Sequence, residues 1–202
     1  SAISSVWGGF SLRWYTALFN NDQIIESALL SLKIAATSAT FATILGTMAG
    51  LALTQMGRYR GRFIFTGLIA APLVMPEVIT GLSLLLMFVS LQELIGWPMS
   101  RGAGTITIAH ITFSMAYVAV IVQSRLSSMD QSLQEAAMDL GGRPMQVAFD
   151  ITLPLIAPSM LSGWLLAFTL SLDDLVIASF TSGAGASTLP MVIFSKIKLG
   201  VT

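Results

Sequence analysis

One polar stretch interrupts an otherwise apolar chain, and it reads Glu135-Ala136-Ala137-Met138-Asp139-Leu140-Gly141, running on to Ile151-Thr152-Leu153-Pro154. Ser132 and Glu135 stand at the spacing of a capping box, which predicts the start of a helix. Gly141 predicts its end, because glycine adopts the left-handed conformation at C′ without a Cβ clash. Pro144 suits the first turn of a second helix, and the segment before Pro154 is expected to be extended. The stretch therefore predicts two short helices with a break between them.

The composition of the chain is typical of an all-α membrane protein. Hydrophobic residues make up 54% of its 202 residues, the mean hydropathy is +0.81, and 10% are charged. Soluble domains carry about 25% charged residues. The absence of cysteine excludes disulfides and thiolate metal sites. The formal net charge is zero, so nothing points to a nucleic-acid partner. Because the chain does not begin with Met, we expect it to be a fragment.

Four apolar stretches are long enough to cross the ~30 Å hydrocarbon core as helices. They cover residues 27–55, 63–91, 105–123 and 159–180. Small residues recur along the first stretch, which predicts close helix packing in a bundle. Pro72 and Pro76 interrupt the second stretch, so its helix is expected to be kinked or partly unwound.

The loops give the expected orientation. The short loop 57–62 carries three arginines, a feature typical of cytoplasmic loops; they are Arg58, Arg60 and Arg62. It is separated from the loop 125–158 by two spans, so both loops are expected on the same side. Before the first span, Trp7, Trp14 and Tyr15 form either a membrane-interface belt or a small packed cap.

The polar stretch resembles the cytoplasmic loop of ABC importer permeases. That family's pattern is Glu-Ala-Ala, three residues, Gly, nine residues, Ile, one residue, Leu-Pro. It is matched at Glu135, Ala136, Ala137, Gly141, Ile151, Leu153 and Pro154. In the family the loop carries the coupling helix that docks on the ATPase subunit, so the resemblance implies ATPase coupling by these residues and by Asp139. A generic capped pair of helices between two spans is the alternative, but it does not explain the fixed Ile-x-Leu-Pro.

The resemblance implies a fold and a set of partners. The fold is the type I, MetI-like helical bundle, in which residues 1–202 form a single permease transmembrane domain with about four complete transmembrane helices and the coupling loop at 125–158. A further helix is expected at each end. The implied partners are a second permease subunit, a dimer of ATP-binding subunits, a periplasmic binding protein and membrane lipid, in a bacterial inner membrane.

No motif for enzymatic chemistry is present in the sequence. There is no Gly-x-x-x-x-Gly-Lys-Ser/Thr loop to hold nucleotide phosphates, and no recognisable hydrolase motif. We expect no cofactor, and we expect ATP hydrolysis on a separate subunit. His110 is the only histidine, so a metal site is not expected and a hydrogen bond to a neighbouring helix is.

Three acidic residues fall inside the predicted spans: Glu77, Asp173 and Asp174. Glu77 and Asp173 lie equally far from the starts of two spans that run in the same direction, which places them at one depth. Acidic groups at one depth would suit a cationic solute. The alternative is that the aspartates pair with a lysine or with backbone N–H groups near an unwound helix end.

Three segments resemble permeases of polyamine importers, first of the putrescine type and then of the spermidine type. They are Pro72-Leu73-Val74-Met75-Pro76-Glu77-Val78-Ile79-Thr80-Gly81-Leu82-Ser83-Leu84, Gly96-Trp97-Pro98 and Trp164-Leu165-Leu166-Ala167-Phe168-Thr169-Leu170-Ser171-Leu172-Asp173-Asp174. The resemblance implies import of a polyamine, most simply putrescine, a dication that agrees with the three acids. Import of spermidine or another small cation, an ion-coupled secondary transporter and a membrane-embedded enzyme are the alternatives.

Overall fold

The computed structural model describes residues 18–57 and 59–199, and these residues form helices joined by turns, with no β-strand among them. Trp7, Trp14, Tyr15 and Arg58 lie outside the described residues. The helices are α1 (Asp22–Gln55), α2 (Arg62–Val74), α3 (Glu77–Ile95), α4 (Ala103–Ser127), α5 (Ser132–Asp139), α6 (Pro144–Val147), α7 (Leu153–Asp173), α8 (Val176–Thr181) and α9 (Leu189–Leu199), with a π turn at Ala148–Thr152 between α6 and α7. The predicted all-α fold is confirmed.

Within residues 18–57 and 59–199, four helical stretches are long and apolar enough to cross a membrane. They are α1, α3, α4 and the continuous helix Pro144–Asp173 that includes α6, the π turn and α7. Helix α2 has 13 residues, about 20 Å at ~1.5 Å per residue, which is too short for a ~30 Å core. The predicted second span over 63–91 thus consists of two helices, α2 and α3, of which α3 alone is long enough to cross the core.

The interruption lies where the sequence predicted a kink or unwinding. Met75 is extended (φ −77°, ψ 136°), as expected for a residue before proline, because the proline ring disfavours the α region there. Pro76 then precedes α3 as its N-cap. Pro72 stays inside α2, so of the two prolines only Pro76 separates the helices.

The directions of the helices follow from which residues meet. Gly46 of α1 lies beside Met115 of α4, and Gly50 lies beside Val122, so α1 and α4 run parallel. Gly163 of α7 lies beside Val118. Further along α7, Ser171 meets His110, so α7 runs antiparallel to α4. These three helices form the centre of the bundle.

The centre of the bundle is packed through small residues, as the sequence predicted. A Cβ on Gly46 would lie 2.7 Å from the carbonyl oxygen of Met115, so the two backbones approach too closely for any side chain. Buried alanines occur on all three central helices; they are Ala35, Ala39, Ala42, Ala116, Ala119 and Ala167. In lipid, such close approach is a main source of helix association.

The prediction of an extended segment before Pro154 is wrong, because the chain there is helical. Leu153 has helical angles (φ −60°, ψ −45°), and its N–H donates to the carbonyl of Ala148, five residues earlier. The π turn shifts the bonding pattern immediately before the proline. Pro154 then falls in the first turn of α7, where its missing N–H does not break the helix.

The fourth span also differs from its prediction of 159–180. Its helix begins earlier, at Pro144, and ends earlier, at Asp173. Asp174 is extended (φ −64°, ψ 127°) and separates α7 from α8. Thus a second span is interrupted, at a position where the sequence contains neither proline nor glycine.

Candidate functional site

The loop that contains α5 begins with a different cap from the one predicted. Gln131 is the N-cap residue of α5 and makes no side-chain capping bond. Instead, Asp130 Oδ1 accepts the backbone N–H of Ser132 at 3.0 Å. Bonds from the backbone N–H and the side chain of Ser132 lower the pKa of the Asp130 carboxyl. The predicted Ser132–Glu135 capping box is therefore wrong, because Asp130 accepts the Ser132 N–H that Glu135 was expected to bond.

The end of α5 agrees with the prediction. Gly141 adopts φ +88°, and its N–H donates to Met138 O at 2.9 Å. The N–H of Gly142 donates to Ala137 O at 3.0 Å. This pair of bonds is the Schellman motif, in which a left-handed residue satisfies the last carbonyls of a helix. Pro144 opens the next helix at N1, also as predicted.

The matched family positions lie on an exposed helix and its continuation. Helix α5 has no buried residue. Glu135, Ala136, Asp139, Gly141 and Pro154 are exposed, while Ala137, Ile151 and Leu153 are half-buried. Large apolar side chains share this exposed surface; they are Leu133, Met138, Leu140, Met145 and Phe149. The segment from α5 to the π turn thus exposes both acidic and apolar side chains.

One side-chain hydrogen bond joins α5 to the long helix within the described residues. Gln134 Nε2 donates to Thr152 Oγ1 at 3.1 Å, in the π turn. Thr152 is 1% exposed and also approaches Val147 O at 3.4 Å. The π turn therefore lies at the junction between the exposed loop and the bundle.

Both predicted cytoplasmic loops lie at the same end of the bundle. A cavity of about 400 Å³ is lined by Gly57 from the short loop and by Met129, Gln131 and Gln134 from the long one. At this end Arg62 donates to the carbonyl of Leu53 at 2.7 Å, near the end of α1. A cation beside a helix C-terminus is favourable, because carbonyl oxygens there lack helical partners.

The three acids have different environments. Glu77 is exposed and is the first residue of α3, where the helix dipole favours a negative charge. Asp173 is the last residue of α7 and is also exposed. Asp174 is largely buried: its carboxylate accepts the N–H of Ile177 at 3.2 Å and that of Ala178 at 2.7 Å. Its carboxylate oxygens are therefore already engaged by the protein.

His110 completes the surroundings of Asp174. Its Nε2 lies 3.1 Å from Asp174 Oδ2, and its Nδ1 lies 2.6 Å from Ser171 Oγ. Ser171 Oγ in turn accepts a hydrogen bond from the Ser38 hydroxyl at 3.0 Å. His110 is 2% exposed. The prediction that His110 hydrogen-bonds a neighbouring helix is confirmed, and the polar cluster Ser38–Ser171–His110–Asp174 joins α1, α4 and α7.

Two of these residues were not singled out by the sequence. Ser38 and Ser171 are small polar residues in apolar helices, and such residues are common wherever helices pack closely. The available signal was that Ser171 precedes Asp174 by three residues. The expected alternative for the aspartates was pairing with lysine or with backbone N–H groups. In the structure, Asp174 pairs with backbone N–H groups, those of Ile177 and Ala178.

The helical bundle has the fold of chains in two solved ABC transporters. One similar structure is a crystal structure of a bacterial ABC transporter involved in import of the acidic polysaccharide alginate. The alignment covers 93% of this chain and 64% of the transporter chain, with a TM-score of 0.70 and 18% sequence identity. A second is a crystal structure of an amino acid ABC transporter with histidines. Here the alignment covers 95% of this chain and 86% of the transporter chain, with a TM-score of 0.64 and 17% sequence identity. At these identities the likeness shows the fold alone.

Sequence comparison then gives the family. The chain belongs to the binding-protein-dependent transport system inner membrane components, which it matches over residues 14–198. It is 59% identical over 201 residues to the putrescine transport system permease protein PotI of Escherichia coli K12, covering all of this chain and 72% of that protein. It is 42% identical over 196 residues to the spermidine/putrescine transport system permease protein PotC of Haemophilus influenzae, covering 97% of this chain and 74% of that protein. It is thus a multi-pass inner-membrane permease of a transport family.

Proposed function

We propose that this chain is one permease subunit of an ATP-driven importer of polyamines, with putrescine as the cargo. The observation that carries the proposal is 59% identity across the whole chain to a relative named for putrescine transport. The relative named for spermidine and putrescine together is less similar, at 42%. Spermidine is therefore the second candidate cargo.

The acidic residues are proposed to face the cargo along its path. Gly81 of α3 lies against Ile177 and Phe180 of α8. Glu77 precedes Gly81 by four residues and Asp173 precedes Ile177 by four, so both acids stand close to this contact along the chain. Both are exposed in the isolated chain. Two carboxylates beside a path through a membrane would attract a diamine dication.

Of the two aspartates, Asp173 is the better candidate for cargo contact. The carboxylate of Asp174 already accepts two backbone N–H groups and contacts His110. A group so engaged has little capacity left for an amine. Asp173 has no such partner among the described residues and is free to bind one.

Residues 1–202 are proposed to form one permease domain, in which the loop 125–158 couples to the ATPase. Helix α5 would dock on an ATP-binding subunit through Glu135, Asp139 and the apolar side chains beside them. ATP hydrolysis would occur on a dimer of those subunits, and a second permease and a periplasmic polyamine-binding protein would complete the transporter. The exposure of α5 supports this role.

The test is ATP-dependent uptake of labelled putrescine into vesicles that carry the full-length protein with its permease, ATPase and binding-protein partners. We expect excess unlabelled putrescine to suppress uptake, and Glu135→Ala to abolish it. Glu93→Gln, an exposed acid in the last turn of α3, is the matched control and should transport normally. ATPase stimulation by a binding protein loaded with another solute, without putrescine uptake, would reject the cargo and keep the importer.

A parallel experiment tests the acids and the energy source. Asp173→Asn and Glu77→Gln remove charge with little change in shape, and each should weaken uptake and its suppression by other diamines. Unchanged uptake and an unchanged competition profile would make both acids structural. Uptake that persists in a preparation without any copurified ATPase would favour an ion-coupled transporter instead.

A further inference from the structure

The break between α7 and α8 is produced by a side chain. The segment Ser171-Leu172-Asp173-Asp174-Leu175-Val176 contains neither proline nor glycine, so local sequence does not require the helix to end. The carboxylate of Asp174 accepts the N–H groups of Ile177 and Ala178, and these bonds begin α8 in place of a continued α7. Aspartate offers the backbone this alternative to a continuous helix. The break therefore depends on how well Asp174 is held.

His110 contacts both sides of this break with a single ring. Its Nε2 meets Asp174 Oδ2, the oxygen that also accepts the N–H of Ala178. Its Nδ1 meets Ser171 in the last turn of α7. The ring itself is 2% exposed on α4, so packing restricts its orientation. One imidazole thus ties the end of α7 and the start of α8 to a third helix.

The hydrogen bonds of this cluster can all be satisfied together. With a proton on Nε2, the imidazole donates to Asp174, accepts from the hydroxyl of Ser171, and leaves Ser171 able to accept from Ser38. Asp174 then has three donors on its carboxylate: two backbone N–H groups and the ring. Removal of the ring would leave a largely buried carboxylate and a buried hydroxyl each short of a partner.

We propose that His110 is a positioning residue for cargo: by holding Asp174 in the break, it fixes the direction in which the neighbouring Asp173 faces the path. This inference rests on the proposed function. Asp173 and Asp174 are consecutive, so the backbone angles at the break determine where the Asp173 carboxylate points. A loosened break would let Asp173 turn away from the amine, while the coupling loop at the opposite end of the bundle would remain unchanged.

Three substitutions at His110 separate its two contacts. His110→Phe keeps a ring and removes both nitrogens. His110→Gln extends a donor to the reach of Nε2, toward Asp174, while His110→Asn reaches only the position of Nδ1, toward Ser171. In the complete transporter, we measure putrescine moved per ATP hydrolysed with saturating loaded binding protein. A purely structural defect would lower uptake and ATPase activity together, so the ratio isolates positioning.

We expect His110→Phe to lower the putrescine moved per ATP about tenfold, within the range for coupled neighbouring residues, with stimulated ATPase activity close to the unmodified level. His110→Gln should restore most of the ratio, and His110→Asn should not. If His110→Phe does not accumulate, the Gln and Asn variants alone carry the test, since each keeps one polar contact. Equal ratios for Gln and Asn, or an unchanged ratio in all variants, would overturn the proposal.

A double substitution tests whether His110 acts through Asp173. In an Asp173→Asn background, His110→Phe should have almost no further effect on the ratio, because the carboxylate to be positioned is already absent. Effects that multiply would overturn the proposal. The unmodified transporter separates this failure from that of the proposed function: absent putrescine uptake there rejects the cargo, while normal uptake with multiplying effects rejects only the positioning role.

Discussion

Two glycines in this chain are required for different physical reasons, and they show how the bundle differs from the exposed loop that contains α5. At Gly46 in α1, an added Cβ would lie 2.7 Å from a carbonyl oxygen and from Val118 of α4. At Gly141 after α5, an added Cβ would meet nothing within 4 Å, but the backbone has φ +88°. The first glycine provides space, and the second provides a conformation.

This difference indicates how each region is specified. The bundle depends on surfaces that fit across helices, so any larger residue at its contacts must push two backbones apart. The loop depends on local backbone geometry and lies exposed, so it should accept larger residues that tolerate a positive φ. Substitution at matched positions in the two regions can therefore separate stability of the fold from coupling of transport.

The largest effect is expected at Gly46. Gly46→Leu must separate α1 from α4, and overpacking of this kind costs about 1–3 kcal/mol or more. We expect little folded permease in the membrane and a lowered melting temperature in detergent. The control is Gly67→Ala in α2, where a Cβ meets nothing within 4 Å; it should match or exceed the parent, because alanine is the better helix former. Equal stability of both variants would contradict the space requirement.

A smaller effect, on coupling instead of folding, is expected at Gly141. The left-handed conformation costs an L-residue about 1–2 kcal/mol, and a β-branched residue more. Gly141→Val should therefore disturb the end of α5 and reduce uptake and ATPase stimulation while the protein still accumulates. Gly141→Asn should retain more activity, since asparagine tolerates this conformation. Normal uptake and normal ATPase stimulation in the valine variant would show that the turn is not needed for coupling.

A more modest change is expected at the hydrogen bond between α5 and the π turn. Thr152→Val keeps the shape of the side chain and removes the acceptor of Gln134, a bond worth about 0.5–1.5 kcal/mol. We expect faster hydrogen exchange of the α5 amides, with the melting temperature of the bundle little changed. Thr66→Val is a suitable control, because Thr66 is exposed and bonds only within its own helix. Equal exchange in the two variants would mean that α5 is held by other contacts.

The smallest effect concerns the start of α5. The N–H and side chain of Ser132 lower the pKa of Asp130, so the folded pKa lies below the unfolded value near ~3.9. Its stabilisation is present above the unfolded value and is lost as pH falls through the folded pKa. We expect no pH dependence here at neutral pH and loosening only below about pH 4. The ¹³Cγ shift of selectively labelled Asp130, assigned with Asp130→Asn, would measure it, and a midpoint above the ordinary range would contradict the assignment of the cap.

The turn at Gly141 could be predicted from sequence because its hydrogen bonds join residues a few positions apart. The same locality misled the prediction at Ser132, where two short caps competed and Asp130 prevailed. The cluster at His110 could not be predicted, since Ser38 and Ser171 come from other helices far along the chain. Their pairing depends on how α1, α4 and α7 pack, which no local pattern specifies.

The two interrupted spans show the same limit. Proline disfavours a helical conformation of the residue before it, so the break before α3 could be expected from the sequence. The break after α7 arises from a carboxylate held by a distant histidine, so the sequence favoured a continuous helix there. Conversely, Pro154 suggested an interruption that the π turn removes. A proline therefore indicates a possible end of a helix, and whether the helix ends there depends on the backbone hydrogen bonds around it.

The helix from Pro144 to Asp173 is continuous and can tilt as one rod. Its 30 residues span about 45 Å at ~1.5 Å per residue, with the loop that contains α5 near one end and Asp173 at the other. For a rod of this length, a tilt of about 10° around its midpoint would carry each tip roughly 4 Å, in opposite directions. A push of a few ångströms on the loop would thus arrive as a comparable displacement at the carboxylate, without any relay of small side-chain changes between them.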